Sequence, residues 1–141
     1  VAKDIFRRLQ PAAEKLNLSL KLEGGPVTLN TVRPILDEVL YNLCDNGVKY
    51  NKKGGSVTIA LKQGLSGTEI SVSDTGIGIP VADQKRVFER FYRVDKSHSK
   101  EIGGTGLGLS IVKHGAAYLG AEVAVDSTVG EGTTFTLRWP S

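Results

Sequence analysis

Apolar and polar positions alternate with two different periods along this 141-residue chain, and the changes of period outline its elements. Between residues 3 and 17, Ile5, Phe6, Leu9, Ala12 and Leu16 recur at helical spacing, with Pro11 limiting how far that helix runs straight. "LSLKLE" at 18–23 alternates as a strand does, "GGP" marks a turn, and "VTLN" is expected as a second short strand. Thr31 is placed to cap a helix in which Val32, Ile35, Leu36, Val39, Leu40 and Leu43 recur, and "NKKGG" at 51–55 stops it. "SVTIALK" and "TEISVSD" alternate on either side of "QGLSG", which predicts an antiparallel pair. Pro80 can open a short helix through "VADQKRVFE", whereas 94–105 carries little signal of regular structure. A helix follows over about 106–119, then "AEVAVDS" and "TTFTLRW" as strands joined by "TVGEG".

Strands paired with their sequence neighbours, plus about three helices, predict an α+β two-layer sandwich. The helices would cover one face of a mixed, mainly antiparallel sheet. Strands do not alternate regularly with helices, which disfavours a Rossmann arrangement.

Length predicts one domain spanning 1–141, and 40% apolar with 23% charged residues is ordinary for a globular chain. The net charge of +3 is too mild to argue for nucleic acid. No apolar run approaches the roughly 18 residues that a membrane span needs. Cys44 stands alone, which excludes an internal disulfide and fits a reducing compartment. The absence of methionine, even at position 1, reads as an excised piece of a larger protein.

Chemistry gathers at four places. In the strand ending at Asp74, parity puts that acid on the apolar face with Ile70 and Val72. A carboxylate there is either solvated just past the strand or supplied with a donor by a ligand, which Gly76 and Gly78 would let approach the backbone. On the helix before it, Glu38, Asn42, Asn46, Lys49 and Tyr50 fall within about 120° of circumference, bordering the apolar stripe. That stripe is either a solvated face or a set of neutral oxygens and one ammonium suited to a hard cation and phosphate. "GGTGLGLSIVK" at 103–113 crowds glycines at a helix start, either as a flexible hinge or as a phosphate cradle of backbone N–H groups. Thr133 shares parity with Phe135, Leu137 and Trp139, so its hydroxyl is expected inside.

Together, and in this order, these elements resemble the ATP-binding domain of sensor histidine kinases, of the GHKL or Bergerat-fold superfamily, from about residue 30 to 139. "LYNLCDNGVKY" looks like the N box, "DTGIGIP" the G1 box, "FERFYRVD" the F box, "GGTGLGLSIVK" the G2 box and "GEGTTF" the last glycine box. The resemblance implies ATP and Mg²⁺. Asp74 would accept the adenine amino group, Gly76, Gly78 and Ile79 would line the base, and Thr133 would help hold it through water. Asn46 would coordinate Mg²⁺, Asn42 and Lys49 would meet the phosphates or the water around the metal, and Tyr50 would pack near the sugar. Residues 94–105 match the ATP lid, with Phe88, Phe91 and Tyr92 at its base and Arg93 approaching the terminal phosphates. Gly104, Thr105, Gly106, Leu107, Gly108 and Leu109 would form the phosphate-binding turn.

ATP-hydrolysing relatives carry a glutamate where this chain has Asn42, which cannot act as a base. That favours transfer to an external acceptor; Glu38 is a candidate general base or a solvated acid. The acceptor-histidine motif is missing, and His98 and His114 lack its context. The resemblance therefore implies a catalytic domain that phosphorylates a histidine on a separate helical dimerisation domain, and through it, indirectly, a response regulator. No nucleic acid and no direct membrane contact are expected, and the isolated domain should be monomeric. It would be the cytoplasmic part of a membrane-anchored parent. The lid and "SIVKHGAAYLGAEV" look most like sensor kinases of the phosphate-starvation type. A serine kinase of the anti-sigma-factor kind and a nucleotide-gated ATPase on the same fold are the alternatives.

Overall fold

The computed structural model describes residues 2–24, 32–65, 67–84 and 108–140. Helix α1 (Ala2–Lys15) leads into strand β1 (Ser19–Gly24), and helix α2 (Arg33–Lys49) into the hairpin β2 (Ser56–Gly64) and β3 (Gly67–Asp74). The further described elements are α3 (Val81–Gln84), α4 (Gly108–Tyr118) and the hairpin β4 (Glu122–Thr128) and β5 (Gly132–Pro140); residues 85–89 of the expected helix lie outside the described residues.

Among the described residues the strands form one five-stranded sheet in the order β1-β2-β3-β5-β4. The expected hairpins are both present and antiparallel, and β3 also pairs with β5 antiparallel. Two details depart from pairing between sequence neighbours. β1 runs parallel to β2, which the intervening helix α2 makes possible, because parallel strands need a long crossover. β3 lies beside β5 rather than β4, so the last hairpin enters the sheet by its second strand.

Inward positions alternate as the pleat requires: Thr68, Ile70 and Val72 of β3 are buried, as are Val57 and Ile59 of β2 and Phe135 and Leu137 of β5. Helix α2 lies between α1 and α4 and buries Leu36, Val39, Leu40, Leu43, Cys44 and Val48 against them and the sheet. Val112 and Ala116 complete the core from α4. Trp139 Nε1 donates to Leu119 O at 3.2 Å, fastening the end of α4 to β5.

Helix α1 buries Ile5, Leu9 and Ala13, not the expected Ala12, which is exposed. The helix passes through Pro11 because that residue faces solvent, where the carbonyl it leaves unpaired meets water. It closes with Asn17 at φ 55° and Leu18 N–H returning to Ala13 O at 2.9 Å. Helix α2 begins after Val32, which makes no side-chain cap, with proline in its first turn; the expected cap Thr31 and strand "VTLN" lie outside the described residues. No helix among the described residues is long and apolar enough to cross a membrane.

Candidate functional site

At one end of the sheet, three adjacent strands carry polar side chains in the inward set. Register pairs Asp74 of β3 with Thr133 of β5, and Thr133 with Ser127 of β4. Each stands at the end of an apolar alternation, so the core stops there in a polar row. Asp74 is half-buried and accepts Gly76 N–H on Oδ1 at 2.8 Å. Burial pushes its carboxyl from 3.8 up to about 6, although the backbone amides of Gly76 and Thr133 pull the other way. Buried Gly47 brings the backbone of α2 alongside, so that a Cβ there would stand 3.5 Å from Asp74 Oδ2. Sequence reasoning passed over Gly47, because a lone glycine inside a helix carries no sign of what lies against it.

The loop after Asp74 is laced to its surroundings. Ile77 N–H donates to Tyr50 O at 3.1 Å, and Gly130 N–H donates to Ile77 O at 2.9 Å. Thr75 Oγ1 accepts Ser56 N–H at 2.9 Å and donates to Asn51 Oδ1 at 3.1 Å, tying the loop to the start of β2. The glycines of this loop stand close against protein backbone. A Cβ at Gly76 would lie 2.4 Å from Tyr50 O, and one at Gly78, whose φ is +76°, would lie 2.3 Å from Thr128 O. Ile79 is buried beside them. Its N–H donates to Ser127 Oγ at 2.7 Å, and Gln84 Nε2 donates to both Ile79 O and Ser127 O at 3.0 Å. Thr133 is buried, as its parity requires, with Oγ1 2.7 Å from Ser127 Oγ. Ser127 was legible in principle: it follows Val123 and Val125 on the inward face of β4, as Asp74 follows Ile70 and Val72.

The polar stripe of α2 borders the core as expected, with Asn42, Asn46, Lys49 and Tyr50 half-buried and Glu38 exposed. Two of its members are engaged locally. Asn42 Nδ2 donates to Glu38 O at 2.8 Å, and Lys49 Nζ pairs with Asp45 Oδ2 at 3.0 Å. Gly108 opens α4 and Leu109 is half-buried on its first turn. Tyr92, Arg93, Gly104, Thr105, Gly106 and Leu107 lie outside the described residues, as do Phe88, Phe91 and His98. His114 is exposed on α4. A separate hollow of about 410 Å³, with Lys21, Lys52 and Lys53 on its walls, contains none of the predicted site residues.

Asp74 at the end of the sheet thus lies against α2, whose Asn42, Asn46 and Lys49 border the core. Residues 31–141 match the family of histidine kinase-, DNA gyrase B- and HSP90-like ATPases. The chain is 38% identical over 143 aligned residues to the sensor-like histidine kinase SenX3 of Mycobacterium tuberculosis, an alignment covering all of this chain and 35% of that protein. This chain thus spans about a third of that relative's length. The solved structure of the mycobacterial sensor histidine kinase MprB superposes with a TM-score of 0.78 at 27% identity, covering 97% of this chain and 95% of that one. Full-length ShkA, solved in complex with AMPPNP, superposes with a TM-score of 0.82 at 26% identity, over 99% of this chain and 29% of that one. The chain belongs to the histidine kinase-, DNA gyrase B- and HSP90-like ATPase family, as a catalytic domain of the histidine kinase type.

Proposed function

We propose that this domain binds Mg-ATP and transfers its γ-phosphoryl group to a histidine on a separate helical domain of the same parent sensor kinase. The observation that carries the reading is Asp74: an inward, half-buried carboxylate with one oxygen already held by Gly76 N–H, at the seam between the sheet and α2. An adenine amino group would give such a carboxylate a further donor. Guanine would set an oxygen against it, a mismatch worth about 1–3 kcal/mol or more.

On the match to the family motifs, Asn46 would coordinate Mg²⁺, Asn42 and Lys49 would meet the phosphates or the water around the metal, and Tyr50 would pack near the sugar. Among the described residues no three His, Cys, Asp or Glu side chains converge as a metal cage. The amide oxygen of Asn46 therefore suits Mg²⁺ only in company with phosphate oxygens, which is how that ion is commonly held. Mg²⁺, when bound, would supply charge neutralisation to the phosphate chain. Lys49 must exchange Asp45 for phosphate, a modest cost for a partly exposed pair. The roles of Tyr92, Arg93 and the turn from Gly104 to Leu109 rest on their match to the family motifs.

In the reaction a neutral imidazole nitrogen attacks the γ-phosphorus in line, the bond to the β-phosphate oxygen breaks, and ADP leaves. Asn42, in place of a water-activating glutamate, favours that acceptor over hydrolysis.

Calorimetry with ATP, ADP and GTP, with and without Mg²⁺, tests the binding step. Metal-assisted binding at least tenfold tighter for ATP than for GTP is expected; no binding, or equal binding, defeats the reading. Mixing the domain with the helical domain of its parent and radiolabelled ATP should give an acid-labile, alkali-stable phosphohistidine. An acid-stable label would instead favour the serine-kinase alternative.

A further inference from the structure

The polar row has a third member with no assigned role. We propose that Ser127 is a positioning residue for nucleotide selectivity: it consumes the hydroxyl proton of Thr133, so that Thr133 presents only lone pairs to the base. This inference rests on the reading of the site as an adenine pocket.

Counting hydrogens at Ser127 gives the direction. A serine hydroxyl has one proton and two lone pairs. Ile79 N–H can only donate, so Ser127 Oγ accepts from it at 2.7 Å. Gly132 O can only accept, so Ser127 gives it the one proton at 3.0 Å. With that proton on Gly132 O, the contact of 2.7 Å with Thr133 Oγ1 takes its proton from Thr133. All three bonds of Ser127 are used, and the proton of Thr133 is spent.

Thr133 in this arrangement offers lone pairs alone, and its register partner Asp74 is acceptor-only when ionised. Two acceptors side by side admit a base edge, or a bridging water, only if it brings protons. An exocyclic amino group does so; an oxo group does not. Ser127 is well held for the task. Its own carbonyl is clasped by Gln84, which also clasps Ile79 O, so the loop from Asp74 to Ile79 and the β4–β5 hairpin keep a fixed relation. Freed of Ser127, the Thr133 hydroxyl could turn and donate to a guanine oxygen, softening the penalty that Asp74 imposes.

The test is the ratio of ATP to GTP affinity, measured by calorimetry on Ser127→Ala, Ser127→Thr and the unaltered chain, with thermal melts to establish folding. Ser127→Ala should reduce the preference for ATP about three- to tenfold, chiefly by improving GTP binding. Ser127→Thr, which keeps the hydroxyl, should restore the preference. Thr133→Val in the Ser127→Ala background should remove the gain in GTP binding, because the freed donor is gone. Should Ser127→Ala not fold, Ser127→Cys is read in its place, since a thiol is a poor acceptor for the Thr133 proton. A merely structural role would weaken both nucleotides alike and leave the ratio unchanged, which would overturn the proposal. An unaltered chain that fails to prefer ATP would overturn the adenine reading itself, a separate outcome.

Discussion

Asp74 carries a cost that the proposed adenine contact would explain. Its carboxyl is raised by burial from 3.8 to about 6, so the folded protein holds that proton over a pH range in which the unfolded chain has released it. Stability contributed by this residue is therefore lost as pH rises from about 4 to 6, and above that the penalty is constant at about 3 kcal/mol. Asp74→Asn, which keeps the shape and an acceptor for Gly76 N–H, should stabilise the ligand-free protein at about pH 7.5 by up to that amount. The advantage should vanish near pH 4, and denaturant titrations at both pH values measure it. A variant destabilised equally at both would contradict the burial argument. The same variant should lose adenine binding, since its amide can turn a donor toward the amino group. Loss of function joined to gain of stability distinguishes a binding acid from a structural one.

Helix α1 shows which contacts hold an element in place. Arg8 reaches α2, its Nη2 2.8 Å from Asp37 Oδ1 and its guanidinium 4.8 Å from the centroid of the Tyr41 ring, while Asp4 meets its Nε at 3.1 Å. That cluster is solvent-exposed and screened, so it orients more than it stabilises. Ile5, wholly buried in the shared core, is the anchor. Ile5→Ala should cost about 2–5 kcal/mol in denaturant unfolding, whereas Arg8→Ala should change stability little and less still in high salt. The reverse order would show that the ion cluster, not the apolar face, docks this helix. The element boundaries were readable where a period persisted, as in β2, β3, β4 and β5. In α1 they were less so: Ala12 and Ala13 are chemically equal, and which of them faces the core depends on the phase of a helix that only its partner α2 fixes.

The family match begins at residue 31, yet the core does not. Ile5, Leu9, Ala13 and Leu18 belong to the same buried cluster as Leu40 and Ile59, and β1 lies along one side of β2. A chain beginning at residue 31 should therefore unfold or aggregate where 1–141 gives a cooperative melt, as circular dichroism and light scattering would report. If the shorter chain melted alike, α1 and β1 would be accessories rather than parts of the fold. Pairing and phase were decided along the chain: the inward parity of Asp74 and Thr133, the half-buried stripe of α2 and both hairpins follow from periods of two and 3.6, which local sterics impose on any chain. Register across non-neighbouring strands was not. That β3 meets β5, and so that Asp74, Thr133 and Ser127 form one row, depends on how a hairpin far along the sequence enters the sheet, with β5, which buries Phe135 and Leu137, inside and β4 at the edge. The glycines of "DTGIGIP" teach the same lesson, since what they approach is the backbone of α2 and β4, and no local pattern names a neighbour that folding alone brings near.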